Sequence, residues 1–203
     1  MTTKSTAAER LRHTAYHEAG HAVASYFLQV PIRDVTIIPD KDSLGVLTHP
    51  PIRFVRHPGV FDDSRRGIDR PERHIIVCFA GPLAQRRFAP GSRWRVGAYH
   101  DFNAAGELMV RIQDPDPEGA RLYGRLLHGR AQVLVKNHWK DIVAVAEALL
   151  KHKRLDADGV NAVIERVHGV KPLERERMRQ PRQGRSADVI CPRFDGRDVG
   201  HGQ

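Results

Sequence analysis

A chain of 203 residues has room for one good hydrophobic core and a tail, which excludes a large multidomain assembly within this length. Apolar residues are 40% and charged residues 28%, so strongly solvated or disordered parts are expected beside the core. A net charge of +9 suits an anionic partner or simply a solvated surface, and no recognised nucleic-acid-binding motif accompanies it.

Residues 1–6 are polar and expected to be frayed. The first helix is predicted over Ala7 to Leu28, with Thr6 as a cap and Pro31 beyond its end. Tyr16, Ala19, Val23, Tyr26 and Phe27 recur at helical spacing and give it a core-facing side. Val35-Thr36-Ile37-Ile38 and Leu44-Gly45-Val46-Leu47-Thr48 read as two strands, so 34–48 is predicted to be a hairpin turning at Pro39-Asp40-Lys41-Asp42. Residues 52–70 lack periodicity and read as a surface loop.

Pro71 fits the first turn of a second helix, Glu72 to Phe88, apolar enough on all sides to be buried. Pro82 is expected to kink it or split it at Gly81. A third helix starts near Asp101, a fourth covers Pro117 to Asn137 and a fifth Trp139 to His152. Asp156 caps a last helix, Ala157 to His168, and residues 171–203 read as a disordered basic tail. The fold class is therefore mainly α with a small β-hairpin.

The longest apolar run, Ile75 to Ala84, falls far short of the roughly 20 residues of a membrane-spanning helix. Met1 to Arg12 lacks the apolar core of a signal peptide, so a soluble, cytoplasmic protein is expected. The two cysteines, Cys78 and Cys191, have neither a disulfide framework nor zinc-finger spacing.

The chemistry concentrates in His17-Glu18-Ala19-Gly20-His21, an H-E-x-x-H sequence. Four residues apart on a helix, His17 and His21 share one face and can hold one metal ion. Two imidazoles, a third protein ligand and an open position for water suit zinc. Zinc would lower the pKa of that water toward roughly 7, and Glu18 would take its proton as general base. From the residues alone, Asp101 at a helix start reads as a cap.

Ala15 to Val23 resembles the zinc-binding helix of FtsH-type proteases, the AAA+ membrane-anchored zinc metalloproteases. The similarity continues in order. Val35 to Pro39 and Leu44 to Leu47 resemble the family's strand pair beside the active site, and Phe79-Ala80-Gly81-Pro82-Leu83-Ala84 its central buried helix. Gly97-Ala98-Tyr99-His100-Asp101-Phe102 resembles the segment that supplies the third metal ligand, and Leu134 to Ile164 the closing helix pair.

The resemblance implies a zincin-like helical peptidase domain over residues 7–170. It implies zinc on His17, His21 and Asp101, with Glu18 catalytic. His100 is the rival third ligand; adjacent helical residues point about 100° apart, so only one of the two faces the metal. Glu107 is a weaker rival.

No G-x-x-x-x-G-K-[ST] phosphate loop is present, so the expectation is a peptidase domain standing alone. Its substrates would be flexible segments or peptides, or chains that a separate AAA+ ATPase delivers, and the resemblance implies assembly into homo-oligomers. The edge of the 44–48 strand is a candidate for pairing with an extended peptide.

Gln85-Arg86 stand where the family usually has a Glu pair, which implies a lost carboxylate support for the zinc ligands. That change, with Pro82, favours a second reading: a metal-binding interaction module of the same fold without efficient catalysis. A third reading is a basic regulator that binds nucleic acid through Arg86–Arg95 and the tail.

Overall fold

The structure is a computed structural model and describes residues 6–39, 45–49, 65–92, 94–113 and 117–170. These form α1 (Ala7–Phe27), β1 (Asp34–Thr36), β2 (Val46–Thr48), α2 (Arg65–Phe88), α3 (Trp94–Gly97), α4 (Tyr99–Gln113), α5 (Pro117–Asn137), α6 (Trp139–His152), β3 (Arg154–Asp156) and α7 (Ala157–Val167). The mainly helical class with a small antiparallel sheet is as the sequence predicts. The frayed N-terminus, all of the predicted 39–42 turn but Pro39, most of the 52–70 loop and the tail fall outside the described residues.

The first helix begins where Thr6 can cap it. The Thr6 hydroxyl accepts from the Glu9 backbone N–H at 3.2 Å, and the Thr6 N–H donates to the Glu9 carboxylate at 2.8 Å. This reciprocal capping box satisfies two backbone donors that a helix start otherwise leaves open. Every residue from Ala15 to Ser25 is buried, so α1 is the central helix rather than one with a single core-facing side. Two large helices enclose it: α1 packs most extensively against α2 and then α6, while α4 and α5 cover α2.

Pro82 neither splits nor ends the second helix, which runs from Arg65 to Phe88 with both Pro71 and Pro82 inside it. Pro82 is fully buried among Ile75, Phe79, Leu83 and Ala84 of the same helix. Burial of this apolar face offsets the missing backbone hydrogen bond, and tertiary packing overrides the local preference. The helix also starts earlier than Glu72, so part of the predicted loop is helical.

The predicted hairpin is present with shorter strands: β1 pairs antiparallel with β2, Val35 opposite Leu47. A third strand was not predicted. β3 pairs antiparallel with the other edge of β1, Val35 opposite Leu155, giving the order β2-β1-β3. Lys153, in the left-handed conformation at φ 67°, turns the chain out of α6, and its carbonyl accepts from the Ile37 N–H at 2.9 Å. Asp156 then caps α7, accepting from the Gly159 N–H at 2.7 Å.

Candidate metal centre

The H-E-x-x-H turn lies in the middle of α1, and its two imidazoles converge as the spacing requires. His17 Nε2 and His21 Nε2 are 3.0 Å apart. The third helix of the prediction arrives as α4, which starts at Tyr99, so Asp101 sits in its first turn. Its Oδ2 lies 3.0 Å from His17 Nε2 and its Oδ1 3.2 Å from His21 Nε2. Among the described residues, His17, His21 and Asp101 are the cluster of three side chains with donor atoms close enough to hold a metal ion. His100 and Glu107 are exposed and lie outside it.

The opposite ends of the rings are fixed from α2. His21 Nδ1 is 2.7 Å from the Val77 carbonyl, which can only accept, so Nδ1 carries a proton and Nε2 is the nitrogen left to face a metal. His17 Nδ1 is 3.1 Å from Gln85 Oε1, an amide oxygen placed to do the same. Gln85 therefore supplies an acceptor to His17 where the sequence suggested only a lost carboxylate. Val77, Gly81 and Gln85 are spaced by four and share the face of α2 turned to α1. Gly81 is needed there because a Cβ at that position would fall within the His21 ring. That spacing is the signal in the sequence that could have found all three.

The donor set fits zinc. Two imidazole nitrogens and a carboxylate oxygen are ordinary zinc ligands, and tetrahedral bonds of about 2.0–2.1 Å place neighbouring donors roughly 3.3 Å apart. The two imidazole nitrogens are 3.0 Å apart, close to that edge, and the Asp101 carboxylate turns one oxygen to each of them, at 3.0 and 3.2 Å. Backbone and amide acceptors behind both imidazoles complete the arrangement that metal-ligating histidines usually have.

The electrostatics belong to a nearly buried cluster. Burial disfavours a charged His21, but the adjoining Asp101 carboxylate, by charge and hydrogen bond, outweighs it and raises the pKa to about 9. Burial disfavours the Asp101 carboxylate too, yet His21 and then His17 hold its pKa well below the usual range. Glu18 is 5% exposed, and burial pushes its carboxyl pKa up despite the two histidines. A rise in this direction favours the protonated carboxyl, the form in which Glu18 can return a proton.

The start of β2 covers Glu18. A Cβ built on Gly45 would lie 2.6 Å from Thr14 Cγ2 and 3.0 Å from both Cγ and Oε1 of Glu18. Gly45, expected only as part of the hairpin, thus lies against this side chain.

No family model matches the chain. It is 29% identical over 177 residues to the ATP-dependent zinc metalloprotease FTSH 9, chloroplastic/mitochondrial, of Oryza sativa, covering 74% of this chain and 21% of that protein. It is 27% identical over 192 residues to the ATP-dependent zinc metalloprotease YME1 homolog of Caenorhabditis elegans, covering 77% and 25%. With the ATP-dependent zinc metalloprotease FtsH of Cupriavidus metallidurans it shares 31% identity over 121 residues, 57% and 17% of the two chains. The chain spans about a fifth to a quarter of the length of the first relatives it matches. Over about three quarters of its length the chain is thus similar, at modest identity, to the FtsH/YME1 ATP-dependent zinc metalloproteases.

Proposed function

We propose that this protein is a zinc-dependent metalloendopeptidase whose site comprises His17, His21 and Asp101 as ligands and Glu18 as general base. The observation that carries the reading is the convergence of two imidazole nitrogens and one carboxylate on α1 and α4, with a buried carboxyl beside them. When bound, zinc would supply a Lewis acid that polarises the scissile carbonyl and acidifies a water molecule. His17 and His21 present Nε2 because Gln85 and Val77 accept from Nδ1. Glu18 takes the proton from the attacking water and delivers it to the leaving amine nitrogen. β2, at the edge of the sheet beside Glu18, offers main-chain groups to an extended polypeptide.

The peptidase-like domain in this proposal covers residues 7–170, flanked by 1–6 and 171–203. Substrates are flexible polypeptide segments. The relatives are named ATP-dependent, so an AAA+ ATPase partner that delivers unfolded chains, and assembly into homo-oligomers, both fit this reading. Among the described residues no helix is long and apolar enough to cross a membrane.

The test combines elemental analysis with digestion of an unfolded substrate such as casein. About one zinc per chain is expected in the wild type, with loss in His21→Ala and in Asp101→Ala. Glu18→Gln should keep the metal and lose cleavage. Cleavage that persists in Glu18→Gln, or a wild type that binds no zinc after reconstitution, overturns the proposal.

A further inference from the structure

We infer that the surface built by Arg12, Arg86, Arg87 and Arg95 is a docking ledge for acidic polypeptide segments, which would make Asp- and Glu-rich chains the preferred substrates of the neighbouring site. The inference deepens the peptidase reading and rests on it. Each of the four guanidiniums lies over an aromatic ring. Arg12 Cζ is 5.2 Å from the centre of Phe88, and Arg87 Cζ is 4.5 Å from that of Trp139. Arg86 and Arg95 share Trp94, at 5.4 and 4.9 Å. The rings are joined in turn: Phe88 stacks on Tyr16 at 3.7 Å, and Tyr16 on Trp139 at 5.7 Å. Arg86 and Arg87 are adjacent at the end of α2, and each reaches one of the two groups of rings.

All four arginines are exposed, while the aromatic residues under them are partly or fully buried. None of the four forms an ion pair among the described residues, although Arg73, Arg121, Arg130 and Arg154 all do. The hydrogen bond recorded for the group is a long one, Arg87 Nη1 to the Lys136 carbonyl at 3.5 Å. An arginine held face-on to a ring is restricted in its rotamers but keeps its in-plane N–H donors for a planar anion. Four such groups in a row, with no carboxylate of their own, select a partner that supplies several carboxylates.

The position identifies the partner as polypeptide rather than nucleic acid. Bases bind by stacking on open rings, and here guanidiniums and other rings already cover these faces. The arginines are close in sequence to the metal centre: Arg86 follows Gln85, which holds His17, and the Trp94 helix leads directly into α4 and Asp101.

The experiment measures binding without turnover, using the full chain carrying Glu18→Gln. Short fluorescein-labelled peptides, one rich in Asp and Glu, one neutral and one rich in Lys, are titrated by anisotropy beside an oligouridylate of the same length. The acidic peptide is expected to bind best and to weaken as salt rises. Its affinity should fall by about tenfold or more in Arg86→Ala/Arg95→Ala and in Arg12→Ala/Arg87→Ala, and stay unchanged in Arg121→Ala, whose guanidinium already pairs with Glu118. Should an alanine pair fail to fold, the matching Lys pair keeps the charge but loses the planar fork, and an intermediate loss is expected.

An acidic peptide that binds no better than the neutral one overturns the inference. So does equal loss in Arg121→Ala, or tighter binding of the oligouridylate. Casein cleavage by the wild type with no preference for acidic peptides would sink the ledge and leave the peptidase reading standing. Acidic-peptide binding without any cleavage by the wild type would do the reverse.

Discussion

Gln85 Oε1 accepts from His17 Nδ1 at 3.1 Å, and this one contact from α2 sets which nitrogen His17 turns toward Asp101. An amide there does the orienting work without adding a negative charge. Gln85→Leu keeps much of the volume but removes the acceptor. Zinc affinity in that variant should fall about 10–100-fold, the usual cost of losing such a partner. Gln85→Glu should hold zinc at least as tightly as the wild type, because a carboxylate makes the imidazole a stronger donor to the metal. A competition titration against a chromophoric chelator reads both. Equal affinity in Gln85→Leu and the wild type would show that packing alone orients His17.

Asp101 joins α4 to the two histidines of α1, so metal bound there ties two helices that otherwise meet through α2. Zinc should therefore stabilise the fold by mass action, about 2.7 kcal/mol when free zinc is 100 times its Kd. EDTA should lower the midpoint of thermal unfolding without unfolding the protein at room temperature, since the metal-free side chains hydrogen-bond to one another. In Asp101→Ala the midpoint should respond much less to zinc. Calorimetry with and without EDTA makes the comparison, and an identical EDTA shift in both proteins would remove Asp101 from the site.

The helices and the metal pair were legible because each rests on a local period. His17 and His21 are four apart, and Thr6 and Asp156 occupy the caps expected of them. What escaped depends on contacts between distant segments. Arg154-Leu155-Asp156 has no strand pattern of its own and becomes β3 only by pairing with Asp34–Thr36. Gln85 read as a departure because its spacing from Val77 and Gly81 shows only that the three share a face of α2, not that this face meets α1. Pro82 read as a break because its local cost is visible in the sequence and the packing that offsets it is not. Asp101 was ambiguous between cap and ligand for the same reason: the choice depends on a helix more than eighty positions earlier.

Cys78 tests the polarity of the core of α2. Part of the residue reaches solvent, yet burial, with a smaller push from Asp101, raises its thiol pKa to about 12. An unfolded cysteine titrates near 8.5. Between these values the folded state keeps a proton that the unfolded state has lost, so this group makes stability fall as pH rises above roughly 8.5. At pH 8 the native thiol should alkylate far more slowly than the unfolded one, because little thiolate is present. Iodoacetamide labelling in a Cys191→Ser background, native against urea-unfolded, checks this. Comparable rates in the two states would contradict it.

Gly45 separates holding the metal from using it. The atoms nearest to a Cβ at this position belong to Thr14 and Glu18 rather than to the three proposed ligands. A methyl group at position 45 has to displace the Thr14 methyl or the Glu18 side chain. Gly45→Ala should therefore keep wild-type zinc content and lower kcat, by about 100-fold if the carboxylate shifts by about 1 Å, with a smaller effect on KM. Thr14→Ser removes the methyl that the new Cβ meets first, but leaves the contact with Glu18. If the activity loss in Gly45→Ala arises at Glu18, the Thr14→Ser/Gly45→Ala double variant should regain stability without regaining kcat. Full recovery of kcat in the double variant would place the damage at Thr14 and end the case for Gly45 as a positioning residue.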